Sequence, residues 1–195
     1  MTPFDASDLP QAPWRTERLQ LRPYQLADAD AAHAVLDTEE EVWRFDRGHA
    51  PTLEDRRANI ARYDALHDQF GFGPCAAFLP APDGGEGELV GQGGLNRYVY
   101  DHRDGTRTVE FEVMFKLARP YWGQGFATEI ARFWVGFAFD HVRLPRLVVG
   151  PEQKNERSVR VLERLGARIQ DDWLDADRVL AFIEPPQRRR TSRRL

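Results

Sequence analysis

Two glycines, Gly123 and Gly125, stand one residue apart where a helical periodicity begins. Behind them Phe126, Ile130, Phe133, Trp134 and Phe137 recur every three or four positions, which predicts an amphipathic helix to about Asp140. Helices commonly open behind a Ser, Thr, Asp or Asn whose side chain caps the free amides, and glycines stand here instead. Four amides at a helix N-terminus lack partners within the helix, and the aligned peptide dipoles leave partial positive charge there. Bare backbone lets a bulky anion approach, so the turn fits phosphate binding. On spacing alone, a tight bend that glycine merely permits is an equal reading. The aromatic stripe needs only a core and is assigned to packing.

Familiar nucleotide motifs do not fit this turn. A Walker loop ends in Gly-Lys-Ser/Thr, whereas Phe126 follows the second glycine and the turn has no lysine. A dinucleotide fingerprint needs a third glycine within a parallel strand unit, and the preceding segments read as an antiparallel meander.

In the strand before the turn, TVEFEVMFKL (Thr108–Leu117), strict alternation puts Glu110, Glu112, Met114 and Lys116 on one face. A carboxylate there is either a proton acceptor or a solvated surface group. Cys75, the single cysteine, lies in an apolar strand and reads as core. The five histidines, His33, His49, His67, His102 and His141, are scattered and form no metal-ligand spacing with it, so no metal is expected.

The elements that must position these groups follow from periodicity and punctuation. RLQLRPY (Arg18–Tyr24) alternates like a strand, and Asp28 is placed to cap a helix to about Asp37. Thr52–Phe70 carries Leu53, Arg57, Ile60, Tyr63, Leu66 and Phe70 at helical spacing behind a Thr52/Asp55 capping box, with Gly71 as the stop. Cys75–Ala81, Leu89–Tyr100 and Thr108–Leu117 read as strands joined by hairpin turns. Arg146–Glu152 is a short strand; Asn155 caps a helix with Val159, Leu162 and Leu165 that Gly166 ends; Asp177–Glu184 is the last strand. The order predicts an α+β fold, a mixed sheet with helices packed on it.

At 195 residues, with 42% apolar and 30% charged residues, the chain supports one globular domain over 16–184. Residues 1–15 are expected as a loose or surface-draped leader, and 185–195 as a solvated, disordered basic tail. The net charge of −4 disfavours bulk nucleic-acid binding; a contact to RNA or an acidic partner through the tail is the sharper alternative. No apolar run is long enough to cross a bilayer, so no membrane partner is expected and a cytoplasmic address is the default.

Four segments, TERLQLR (Thr16–Arg22), VGQGGL (Val90–Leu95), EVMFKLARPYWGQGFATE (Glu112–Glu129) and NERSVRVLERLGA (Asn155–Ala167), together resemble the GCN5-related N-acetyltransferases (GNAT) in their RimJ/RimL-like branch. They occur in family order and span nearly all the chain except its ends. The resemblance implies a mostly antiparallel, twisted sheet splayed between its fourth and fifth strands, with helices on both faces. It implies acetyl-CoA as the acyl carrier, its diphosphate held by main-chain amides of Gly123, Gln124, Gly125, Phe126, Ala127 and Thr128. Met114, Phe115 and Lys116 would lie against the pantetheine arm, which pairs with the strand edge.

By the same resemblance a main-chain N–H near Glu112–Met114 stabilises the oxyanion, and Glu112 matches a glutamate able to take the amine's proton. Ser158 matches a serine assigned to the departing sulfur and Asn155 a cofactor-bonding residue; local physics reads them as a first-turn polar residue and a helix cap. The tyrosine that many relatives carry is Leu162 here, and the family's usual Arg or Gln before the turn is Trp122, as is common in the branch it resembles. The implied activity is direct acetyl transfer to a primary amine, a protein N-terminus or a small molecule. Glu39, Glu40, Glu41 and Asp46 read equally as an acidic approach for such a cation and as an exposed polar loop. A homodimer stays open. The alternative from another class is an acyl-CoA-binding sensor or interaction module without turnover.

Overall fold

The alternation through residues 108–117 becomes β5 (Arg107–Leu117), the last strand of a five-stranded antiparallel ladder. The computed structural model describes residues 6–46 and 49–186. Its first ladder runs β1 (Trp14–Arg15), β2 (Gln20–Pro23), β3 (Cys75–Pro80), β4 (Glu86–Asp101), β5. A second, three-stranded antiparallel ladder has the order β6 (Leu147–Val149), β8 (Val179–Ile183), β7 (Arg168–Asp171). β5 and β6 are neighbours in space but edges of different ladders. They are the fourth and fifth of the strands expected from sequence, and the sheet divides between them as expected.

Helices cover both faces. α3 (Leu53–Phe70) begins in the expected capping box: Asp55 N–H donates to Thr52 Oγ1 at 3.1 Å, and Thr52 N–H to the Asp55 carboxylate at 2.9 Å. Gly71, at φ 73°, ends it. Together with the short α1 (Ala29–Ala32) and α2 (Glu40–Trp43) it lies on one face. α4 (Phe126–Phe137) covers the other, where a Cβ on Gly93 of β4 would fall 2.1 Å from Ile130 Cγ2. Only glycine permits that approach. Ile130, Trp134 and Phe137 pack with Leu21, Val113 and Leu147 in the main core, each large buried side chain contributing about 1.5–3 kcal/mol. α5 (Glu156–Arg164) packs on α4 and sends Val161 and Leu162 into the same core.

Several expectations need correction. Within the described part of the leader, residues 6–15, the chain is not loose: most side chains are exposed, but Leu9 and Trp14 are buried, and Trp14 meets Trp134 edge-on at 5.1 Å. Asp28 does not cap a regular helix. Its carboxylate accepts Gln25 N–H at 2.7 Å and pairs with Arg22, and residues 33–37 continue α1 as a π-helical turn. The inward arginine of α3 is Arg56, not Arg57. Arg56 is fully buried, bonded to both Asp37 and Gln92, whereas Arg57 is exposed. β7 was not anticipated. The Arg-rich tail from Gln187 onward lies outside the described residues.

Candidate functional site

Gly123 and Gly125 adopt φ of 77° and 86°, the left-handed region that favours glycine. The first helical bond of α4 runs from Glu129 N–H to Gly125 O at 3.0 Å, so the amides of Phe126, Ala127 and Thr128 precede the helical ladder. No side chain caps this end. Gly123, Gln124 and Gly125 are exposed, and a Cβ on Gly123 would meet nothing within 4 Å. The turn is therefore accessible bare backbone at the positive end of a 12-residue helix.

The main chain of β5 leads to it. Ala118 N–H donates to Val90 O at 3.0 Å, and the register holds without a shift from Gly91–Leu117 to Asp101–Arg107. Bonded and non-bonded pairs alternate in an antiparallel ladder. Glu112, Met114 and Lys116 therefore turn their main-chain groups toward β4, and Val113, Phe115 and Leu117 turn theirs to the outer edge. Trp122 Nε1 closes the upper end of that edge by donating to Leu117 O at 2.7 Å. Arg146, just before β6, pairs with Glu110 at 2.6 Å at the other end. Between these two ties, Val113 and Phe115 face the division between the ladders. Of the three residues expected against the pantetheine arm, only Phe115 turns its main chain that way.

On β5 the Glu112 and Lys116 side chains lie on the face that α2 and α3 cover. Glu112 accepts from Asn96 Nδ2 at 3.0 Å. Burial raises its pKa above the usual carboxylate range and the Asp46 charge adds to this, while the Asn96 bond opposes it. Lys116 Nζ lies 3.0 Å from the Trp43 ring centroid and 2.7 Å from Asp46 Oδ2. Burial lowers its pKa to about 8, against the upward pull of Asp46. Of the four acids expected as an approach, Glu39 faces Arg119 at 3.7 Å, Glu41 faces Arg44 at 3.7 Å and Asp46 holds Lys116, and all three stay partly exposed.

At the start of α5, Asn155 Oδ1 accepts Ser158 N–H at 3.2 Å, which makes Asn155 the helix cap and places Ser158 in the first turn, half-buried. The Arg157 guanidinium lies 4.6 Å from the Trp122 ring centroid, tying this helix to the glycine turn. Leu162 is fully buried in the core and brings no polar group to the site. Cys75 is buried, and burial pushes its thiol pKa well up, as suits a core residue. Among the described residues no cluster of His, Cys, Asp or Glu could hold a metal ion, and no helix is long and apolar enough to cross a membrane.

Sequence reading missed the edge-facing main chain of Val113 and Leu117. Parity along β5 was a usable signal, but its phase depends on the pairing with β4. It also missed Arg18 and Glu129, which meet at the glycine turn: Arg18 Nε donates to the Glu129 carboxylate at 2.8 Å.

Known proteins resemble this chain in sequence and in fold. A family profile described as an acetyltransferase (GNAT) domain matches residues 18–168. The uncharacterized protein YkkB of Bacillus subtilis is 26% identical over 152 residues, 77% of this chain and 82% of that protein. The uncharacterized N-acetyltransferase p20 of Bacillus licheniformis is 25% identical over 150 residues, 77% and 79%. A crystal structure of an acetyltransferase from Agrobacterium tumefaciens superposes with a TM-score of 0.70 at 26% identity, over 88% of this chain and 94% of that one. RimL, a ribosomal-protein α-N-acetyltransferase solved with coenzyme A, shares the fold at a TM-score of 0.65 and 16% identity, over 86% and 93%.

Proposed function

The chain belongs to the GNAT family of acetyltransferases, and we propose that it transfers the acetyl group of acetyl-CoA directly to a primary amine, without a covalent enzyme intermediate. The observation that carries this reading is the junction of an exposed glycine turn at the head of α4 with the outward main chain of β5. Acetyl-CoA, when bound, supplies an activated acyl carbonyl and a thiolate leaving group.

Residues 123–128 fit a diphosphate because their amides stand outside the helical ladder and Gly123 leaves open space before them. Phe115 and Val113 offer main-chain groups to an extended arm along the strand edge. The N–H of Val113, at the level expected for the carbonyl, is the oxyanion donor in this reading. Glu112 accepts the proton of the attacking amine, directly or through water; its raised pKa improves it as a base once ionised. Asn155 fixes the first turn of α5, and Ser158 within it hydrogen-bonds the departing sulfur. Positioning of both reactants supplies much of the rate.

The acceptor is a primary amine, with a peptide N-terminus and a small-molecule amine as the two classes. RimL, which shares the fold, is named for the first. A screen of thiol release from acetyl-CoA across amines and N-terminal peptides tests the proposal. Acceptor-dependent release is expected, and release that no acceptor accelerates would contradict it.

A further inference from the structure

Glu129 carries a carboxylate in the first turn of α4, beside the amides proposed to bind a diphosphate. Alone, that charge would favour the helix and repel the ligand. It is not alone. Thr16 Oγ1 donates to Oε1 at 2.6 Å, Arg18 N–H donates to the same oxygen at 2.7 Å, and Arg18 Nε donates to Oε2 at 2.8 Å. Burial works against ionisation, yet the bonds from Thr16 and Arg18 hold the Glu129 pKa below its ordinary range.

The same guanidinium grips the turn. Arg18 Nη1 donates to Gln124 O at 2.9 Å, and its carbon lies 4.2 Å from the Phe126 ring centroid. A Cβ on Gly125 would come within 3.3 Å of Arg18 Nη2. One side chain, 42% exposed, thus joins the segment before β2 to a carbonyl, a ring and a carboxylate around the glycine turn. A partly solvated ion pair adds little to folding. Its placement matters more for the turn.

Resting on the carrier reading above, we propose that Arg18 is a positioning residue for the diphosphate: it fixes the Gln124 carbonyl so that the turn's amides stay free for the ligand, and it neutralises the Glu129 carboxylate beside them. Arg18 need not touch the carrier to act this way. Removing its charge exposes the ligand to an uncompensated carboxylate; removing both charges relieves the repulsion.

Titration calorimetry with CoA, beside an NMR titration with millimolar pantetheine (the thiol arm without the diphosphate), tests this in the full chain. Arg18→Gln is expected to raise the Kd for CoA about 10-fold or more, as loss of charge-assisted bonds implies, and to leave the Kd for pantetheine unchanged. Arg18→Gln/Glu129→Gln is expected to recover at least about 3-fold of that loss, a recovery that a purely structural role would not give. Should Arg18→Gln fail to fold, Arg18→Lys decides, because a single ammonium lacks the planar fork that reaches the carboxylate and the Gln124 carbonyl from separate nitrogens; about a 3-fold rise for CoA alone is expected. Wild-type CoA affinity in a folded Arg18 variant, or an equal loss for pantetheine, overturns the inference alone. Absence of CoA binding by the wild-type protein overturns the carrier reading and this inference with it.

Discussion

The indole N–H of Trp122 donates to the carbonyl oxygen of Leu117 at 2.7 Å, so the residue just before the glycine turn seals the last outward-facing group of β5. The Trp122 ring also lies against Arg157 of α5. Strand edge, turn and helix start thus meet on one side chain. Trp122→Phe keeps an aromatic ring and removes the donor, leaving the Leu117 carbonyl without its partner. A loss of about 1–2 kcal/mol is expected in urea unfolding. A midpoint equal to wild type would show that water replaces the indole at no cost.

Glu112 sets an expected pH dependence. Burial raises its pKa, so the carboxylate is protonated to a higher pH than an ordinary glutamate, and the proposed base would work only above that point. The groups around it are Asn96, Asp46, Tyr98, Arg62 and Arg178. The rate with a given acceptor should rise with pH through this group, and Glu112→Gln should lower kcat about 100-fold or more while abolishing that limb. A glutamine variant with the same profile would remove Glu112 as the base.

Lys116 predicts a change in alkaline stability. Its folded pKa of about 8 lies below the ordinary lysine value of 10.5. Between these, the unfolded chain binds the proton that the folded chain has released, so this group makes stability rise with pH across that window. Below about pH 8 both states hold the charge, and above about 10.5 neither does. Urea midpoints for wild type and Lys116→Met, compared from pH 7.5 to 10, isolate the contribution from that of other titrating groups. The difference between them should shift toward wild type as pH rises; a constant difference would contradict the assigned burial of the ammonium.

Much of this was legible where the code is local. The Thr52/Asp55 box, the Gly71 stop, the Asn155 cap and the two positive-φ glycines each need only a few neighbouring residues to be read. What escaped was set at a distance. Arg56 rather than Arg57 turns inward because Asp37 and Gln92 are there to receive it, and helical spacing counts a buried arginine no differently from an exposed one. Arg18 and Glu129 are 111 residues apart, so their pairing exists only after β2 and α4 have packed. β7, with Ile169 as its single apolar residue, forms because β8 offers it an edge. Which main-chain groups of β5 face outward depends on its register with β4, and alternation alone does not fix that phase.

The central claim, that bare backbone at the head of α4 holds the diphosphate, is tested most directly by the CoA affinity of Gly123→Ala. The added methyl meets no protein atom, so the variant should lose only about 1 kcal/mol of stability from the left-handed backbone. Calorimetry should nevertheless show CoA binding at least about 10-fold weaker than wild type, because the methyl stands where the ligand must approach. A folded variant that binds CoA as tightly as wild type would contradict the account and leave the two glycines as no more than a bend.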